Sequence, residues 1–265
     1  MAISGTTVIV SSDEEHALHA GRPLIGSVFR SLFCAGLLLG GATAWAETSN
    51  EFWPEFNAFL KVNARARVFL LSTTTRVDST GGPGETHGLP TDGTIGVHLD
   101  YTLVPAMRPQ LLEQDWERSR YLWTRVGYQY ATNFGGADSG NSFRENRGVF
   151  ELTARTPPRA GELEWVGRVR WDWRNRNGET FSVYRVKLGV ERLFDVQGHA
   201  VVPYLTAEAH FDTRYNEWKQ IRYQTGVEVG LVGPWRIEPY FEVRNDRISE
   251  PTLVRAFGMV LKYYH

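Results

Sequence analysis

The chain has 265 residues, a formal net charge of −1 at pH 7, nine Trp, eleven Tyr and a single Cys. That length suits one large β domain or two small ones. The near-neutral balance offers no basic surface for a nucleic acid, and a lone Cys34 excludes an intrachain disulfide.

The first 46 residues read as an export signal. Arg22 and Arg30 precede an apolar run, Leu32–Leu39, and the small residues after it end in Ala44-Trp45-Ala46. A basic region, a short hydrophobic core and an A-x-A site predict cleavage before Glu47. The run is shorter than the ~20 apolar residues a spanning helix needs. Residues 1–20 are long and acidic for the start of a signal, which is compatible with a start assigned too far upstream; initiation at Val28 would leave a conventional signal. Cys34 lies inside the hydrophobic core, where it is not a lipoprotein cysteine. The mature chain, residues 47–265, then carries no Cys, as suits passage through an oxidising compartment.

Beyond the signal, alternation of apolar and polar residues recurs. Successive side chains of a strand point to opposite faces, so a period of two marks a strand with two different faces. Phe52–Asn63 sets Phe52, Pro54, Phe56, Ala58 and Leu60 against Trp53, Glu55, Asn57 and Lys61. Arg67–Val77 is a Thr-rich strand whose faces the pattern does not assign. A long Gly/Pro/Ser/Thr stretch, Asp78–Thr94, reads as a loop. Ile95–Leu103 alternates cleanly, with His98 and Asp100 on the polar side. Pro105–Arg118 is irregular. Arg120–Ala131 returns to the pattern, and a polar loop, Asn133–Asn146, follows. Gly148–Arg155 opposes Phe150 and Leu152 to Glu151 and Arg155. Trp165–Arg174 is the most polarised stretch: Trp165, Val169, Trp171 and Trp173 on one face; Arg168, Arg170, Asp172 and Arg174 on the other. Val183–Phe194 and Val201–Asp212 form a hairpin turned at Gly198. In it Tyr184, Val186 and Leu188 oppose Arg185, Lys187 and Glu191, and Leu205, Ala207 and Ala209 oppose Glu208, His210 and Asp212. Ile221–Leu231 places Arg222 and Glu228 on the polar face, and Trp235–Arg244 places Glu238 and Glu242 there. Leu253–His265 is the last strand.

About eleven long strands without covering helices fit a soluble sandwich poorly. They fit an antiparallel up-and-down transmembrane β-barrel, whose strands of about ten residues present an apolar face to lipid and a polar face to a lumen. Trp53, Trp123, Trp165, Tyr215, Trp218, Trp235 and Tyr263 near strand ends suggest interfacial girdles. Loops that alternate long and short suggest the two sides of a membrane. Single-chain bacterial barrels have even strand counts, so the expectation is twelve strands, with ten as the alternative.

The inward charges nearly cancel. Arg168, Arg170, Arg174, Arg185, Lys187 and Arg222 face Asp172, Glu191, Glu208, Glu228, Glu238 and Glu242, with His210 among them. In a narrow lumen such charges are expected to pair across strands, Arg168, Arg170 and Arg174 with carboxylates such as Glu151 and Glu191. Glu208, His210 and Asp212 share a face and could in principle act as acid and base or ligate a metal. A His among charged neighbours is more often another lumen residue. His98 and His210 have no obvious Ser partner; Ser72 and Ser182 are the candidates. No phosphate loop, Cys/His cluster or calcium loop is present, so no catalytic residue, metal ligand or cofactor is assigned.

The start Phe52-Trp53-Pro54-Glu55, the strand Tyr184-Arg185-Val186-Lys187-Leu188-Gly189-Val190-Glu191, the strand from Pro203-Tyr204-Leu205 to Phe211-Asp212, and the Arg222…Gly226-Val227 strand resemble the bacterial outer-membrane family catalogued as domain of unknown function 2490. The resemblance covers nearly all of Glu51–His265. It implies a place in the outer membrane and no reaction. The expected partners are outer-membrane lipid and lipopolysaccharide, and the barrel-assembly machinery through the C-terminal strand, where Phe257, Met259, Leu261 and Tyr263 share a face. The strand ends in His265, a departure from the usual terminal aromatic. The functional expectation is a structural barrel or narrow channel, not an enzyme. The alternatives are an outer-membrane enzyme acting on lipid and a secreted, soluble lipid-binding barrel.

Overall fold

The structure, a computed structural model, describes residues 48–78, 90–105, 120–134, 143–156, 163–248 and 253–265. The expected signal and the irregular stretch after Pro105 lie outside these residues. Twelve strands are present: β1 (Thr48–Lys61), β2 (Ala66–Asp78), β3 (Pro90–Pro105), β4 (Arg120–Asn133), β5 (Arg144–Arg155), β6 (Glu164–Arg176), β7 (Glu179–Glu191), β8 (Phe194–Val196), β9 (His199–Asp212), β10 (Glu217–Gly230), β11 (Trp235–Asp246) and β12 (Leu253–Tyr264). Neighbours in sequence pair antiparallel around one sheet, which β1 and β12 close on themselves.

Eleven of the twelve make the wall. β8 is three residues long and continues the path of β7 after a break at Arg192 and Leu193, pairing with the start of β9. β9 pairs with β7 along most of its length and with β10 on its other side. An up-and-down barrel alternates strand direction, so an even count closes with an antiparallel pair and an odd count with a parallel one. The seam here is parallel, from Thr48 opposite Leu253 to Phe59 opposite Tyr264. The even count expected from sequence is therefore corrected at the seam. β3 and β4 pair directly from Asp92–Asn133 to Pro105–Arg120, leaving no place in the wall for a strand between them. One consequence is that the start of β1 and the end of β12 lie at opposite rims. Another concerns the connections. Each rim carries both short turns and longer connections, so the expected alternation of long and short is not found. The connections that leave β1 after Lys61 and β3 after Pro105 start from one rim, and those that leave β6 after Arg176 and β2 after Asp78 start from the other.

Opposed residues traced around the wall show its stagger. From Lys187 the path runs through Glu208, Arg222, Arg244 and Val254 to Ser49, near the start of β1. In the other direction it runs through Arg168, Thr153, Trp123 and Thr102 towards the far end of the same strand. Such stagger requires strongly tilted strands.

Tight turns use backbone conformations that few residues adopt. Asn177-Gly178 and Gln197-Gly198 have positive φ at both positions, 52° and 90° in the first and 56° and 82° in the second. That pattern matches the right-handed twist of the flanking strands. The wall sorts its side chains as the alternation predicts. On β3 and β5–β7, Ile95, Val97, Leu99, Phe150, Trp165, Val169, Trp171, Trp173, Tyr184, Val186 and Leu188 all face outward and exposed, Leu188 by 63 % and Ile95 by 61 %. The buried residues include charged ones, Asp100, Glu145, Glu151, Glu164, Asp172 and Glu208 among them. The interior is the polar side.

Candidate functional site: a charged lumen

Each ionic group in the lumen stands on the inward parity of its strand, and register sets its neighbours. Asp172 of β6 is fully buried and receives three guanidiniums: Arg170 at 2.6 Å and Arg174 at 3.0 Å on its own strand, and Arg185 of β7 at 2.6 Å. Asp100 of β3 does the same for Arg67 at 2.8 Å, Arg125 at 2.6 Å and Arg120 at 3.7 Å. Glu145 of β5 gathers Arg147 at 2.6 Å, Arg174 at 3.4 Å and Arg176 at 3.6 Å. Arg168 bridges Glu208 at 2.9 Å and Glu151 at 3.6 Å. Lys262 of β12 lies 2.5 Å from both Glu228 and Glu238, and Arg236 joins Glu228 at 2.9 Å. A buried carboxylate with several hydrogen-bonded cations offsets the desolvation that a lone charge would suffer.

All thirteen ladder residues expected from the sequence face inward, and the details refine the expected pairing. Glu151 does lie near Arg168 and Arg170, the latter at 4.0 Å. Glu191 pairs instead with Arg155, at 3.0 Å. Arg170 and Arg174 find their nearest carboxylate within their own strand, because the intervening Trp points outward and brings residues two apart onto one face. Arg222 meets Glu242 at 3.7 Å, and His210 meets Glu208 at 3.5 Å. Asp212 is engaged by Arg214 at 2.8 Å. Among the described residues no group of three or more His, Cys, Asp or Glu is placed to hold a metal. Ser72 and Ser182 lie on the outward face, Ser182 accepting a hydrogen bond from Trp171 Nε1 at 3.1 Å, whereas His98 and His210 are buried inside. These serines and histidines therefore stand on opposite sides of the wall.

Several interior residues escaped the sequence reading. Arg67, Arg120, Glu145, Arg147 and Lys262 belong to the ionic groups just described. Two tryptophans expected in the girdles turn inward. Trp123 is buried beneath Arg120, whose guanidinium lies 4.4 Å from its ring, and Trp53 lies under Arg244 at 5.5 Å. Phe59 also points inward, stacked between Phe69 and Tyr264 at 4.7 Å each, with Phe69 against His98 at 5.1 Å. Arg67 and Arg125 cover these rings at 4.5 and 4.1 Å, a favourable placement for a cation on an aromatic face. This stack fills the lumen beside β1, β2 and β12. In the sequence Phe59 shares parity with Glu55, Asn57 and Lys61, which is the signal that could have placed it.

Aromatic groups also lie over inward glycines. A Cβ on Gly226 would come within 2.6 Å of Tyr204 Oη and 2.8 Å of the Pro239 carbonyl oxygen. The missing side chain makes room for the Tyr204 ring, whose hydroxyl donates to Glu238 at 2.5 Å and accepts from Gln224 at 3.1 Å.

Among the described residues the lumen holds a cavity of about 480 Å³, lined by residues of β1–β4, β6, β7 and β9–β12, and also by Arg147 of β5. A second, of about 240 Å³, lies towards Arg155, Glu191 and Glu228. Arg168, Lys187, Gln224, Glu238 and Lys262 line both.

No family model matches the chain, and no curated protein matches it. Among solved structures, the β domain of the Bordetella autotransporter BrkA is similar, with a TM-score of 0.42 and 14 % identity, covering 72 % of this chain and 78 % of that one.

Proposed function

We propose that the chain is an integral outer-membrane β-barrel whose lumen is a narrow, charge-lined channel. The carrying observation is the placement of Trp165, Trp171 and Trp173 outward, with Arg168, Arg170 and Arg174 on the same strand turned inward among carboxylates. An exposed belt of large apolar side chains on adjacent strands exceeds what a protein in water presents without a partner. Lipid on that face removes the penalty, and closure leaves no unpaired edge in hydrocarbon. A soluble lipid-binding barrel needs the reverse arrangement, an apolar cavity inside a polar shell. A lipid-modifying enzyme finds no support in the opposed placement of the serines and histidines. The resemblance to domain of unknown function 2490 adds an envelope location to this reading and no reaction.

In this reading lipid and lipopolysaccharide cover the belt. Phe257, Met259, Leu261 and Tyr263 of β12 provide the face that assembly machinery engages. The test is fractionation with gel migration: the protein should leave envelopes only with detergent and should run faster unheated than boiled. Recovery in the soluble fraction, or identical migration, would overturn the proposal. Reconstituted barrels should conduct ions across a planar bilayer, and silence there would remove the channel and leave a structural barrel.

A further inference from the structure

Counted along the strands, the inward charges nearly cancel. They do not cancel at the surface of the lumen. An aspartate carboxylate sits close to its backbone, whereas an arginine carries its charge on a long stem. Inside a narrow barrel this difference separates the two signs radially. Asp100 and Asp172 are 0 % exposed, and neither they nor Glu145 and Glu151 border the larger cavity. Five of the arginines bound to them do border it. Arg125, Arg147, Arg168, Arg170 and Arg185, with Lys187, form one arc contributed by β4–β7. Glu55 of β1 and Glu238 and Glu242 of β11 stand on the other arc. In total nine cationic side chains and four carboxylates line this cavity.

Lys187 is distinctive within the arc. Its ammonium donates to Gln224 Oε1 at 3.5 Å, and among the described residues no carboxylate lies within ion-pair distance of it. It also lines both cavities. Among the described residues the buried Nε–H groups of Arg168 and Arg185 have no hydrogen-bond acceptor. From this geometry we infer that the lumen takes a small oxyanion, a phosphate or carboxylate solute, held by Lys187 and the arginines of the β4–β7 arc. Resting on the channel reading above, this names the class of solute. Low-dielectric walls focus the field of the arc on the cavity and raise the local concentration of anions. The opposing carboxylates on β1 and β11 give the field a direction across the pore.

The experiment uses the full barrel in planar bilayers under a potassium chloride gradient, and in parallel the temperature at which the compact form on a gel is lost with and without inorganic phosphate. Wild type should reverse at the potential that marks chloride as the more permeant ion, and phosphate should reduce the chloride current. Lys187→Glu, checked for heat-modifiable migration, should lower the chloride-to-potassium permeability ratio several-fold and abolish the phosphate block. Lys187→Gln should fall between them. Phosphate should raise the transition temperature of wild type and not that of Lys187→Glu. Potassium preference in wild type, or an unchanged ratio in an assembled Lys187→Glu barrel, would overturn the inference. If no barrel conducts but phosphate still protects wild type alone, the channel reading fails and the oxyanion site stands. If neither conductance nor protection appears, both fail.

Discussion

Asp172 offers the sharpest test of the interior network. It has no solvent exposure, and three guanidiniums converge on it at 2.6–3.0 Å. Asp172→Asn keeps the shape and removes the charge. Arg174 would retain Glu145 at 3.4 Å, and Arg170 would retain Glu151 at 4.0 Å and Gln129 at 3.4 Å. Arg185 would be left with no carboxylate within ion-pair distance among the described residues. Removing one partner of a buried ion pair costs about 3–5 kcal/mol. The neighbouring cavity and the three surviving contacts place this case at about 3 kcal/mol, roughly a hundredfold in the folded-to-unfolded ratio. The assay is urea unfolding of the barrel in lipid vesicles, followed by Trp fluorescence and gel mobility. Adding Arg185→Gln to the variant should recover about half of the loss, because the orphaned charge goes with it. A loss below about 1 kcal/mol, or no recovery in the double variant, would mean that the guanidiniums are hydrated and that Asp172 does not organise them.

Trp171→Arg should cost about 2–4 kcal/mol, the penalty for a cation on a lipid face near the midplane, and should sharply reduce the heat-modifiable fraction on refolding into vesicles. Arg170→Gln, which leaves Asp172 with two arginines, should cost about 1–2 kcal/mol by the same assay. Gly226→Ala should destabilise by about 1–3 kcal/mol in urea, because the new methyl meets the Pro239 carbonyl oxygen as well as the Tyr204 hydroxyl and only the hydroxyl can move. Cysteines at Phe52 and Phe257, opposed across the parallel seam with rings 6.0 Å apart, should cross-link on mild oxidation, and a band that stays uncross-linked would argue against parallel closure.

Alternation along β3, β6, β7, β9, β10 and β11 was legible because each of these strands has lipid-sized apolar residues on one parity and ionic ones on the other. That contrast placed the ladder on the correct face. Strand number was harder to read. An evenness rule pushed eleven visible runs towards twelve, yet register, which pairs β3 directly with β4, leaves no extra position in the wall. The Asn177-Gly178 pair between β6 and β7 is a hairpin signal that the sequence reading passed over. Arg144, Glu145 and Arg147 were hidden because β5 begins within a stretch that looks like polar loop. Trp53 and Trp123 went astray for a different reason. An aromatic ring near a strand end suits a membrane interface or a position under an arginine equally well, and only the neighbours across the lumen decide between them. The radial separation of charge was also invisible to counting. It follows from side-chain length inside a closed wall.

Single-tryptophan barrels reconstituted with brominated acyl chains test the central claim most directly. Trp171, exposed on the outer face, should be strongly quenched, and Trp123, buried beneath Arg120 on the inner face, should not. Quenching of Trp123 with Trp171 protected, or no quenching of either, would contradict a barrel that faces lipid with its tryptophans and a polar lumen with its arginines.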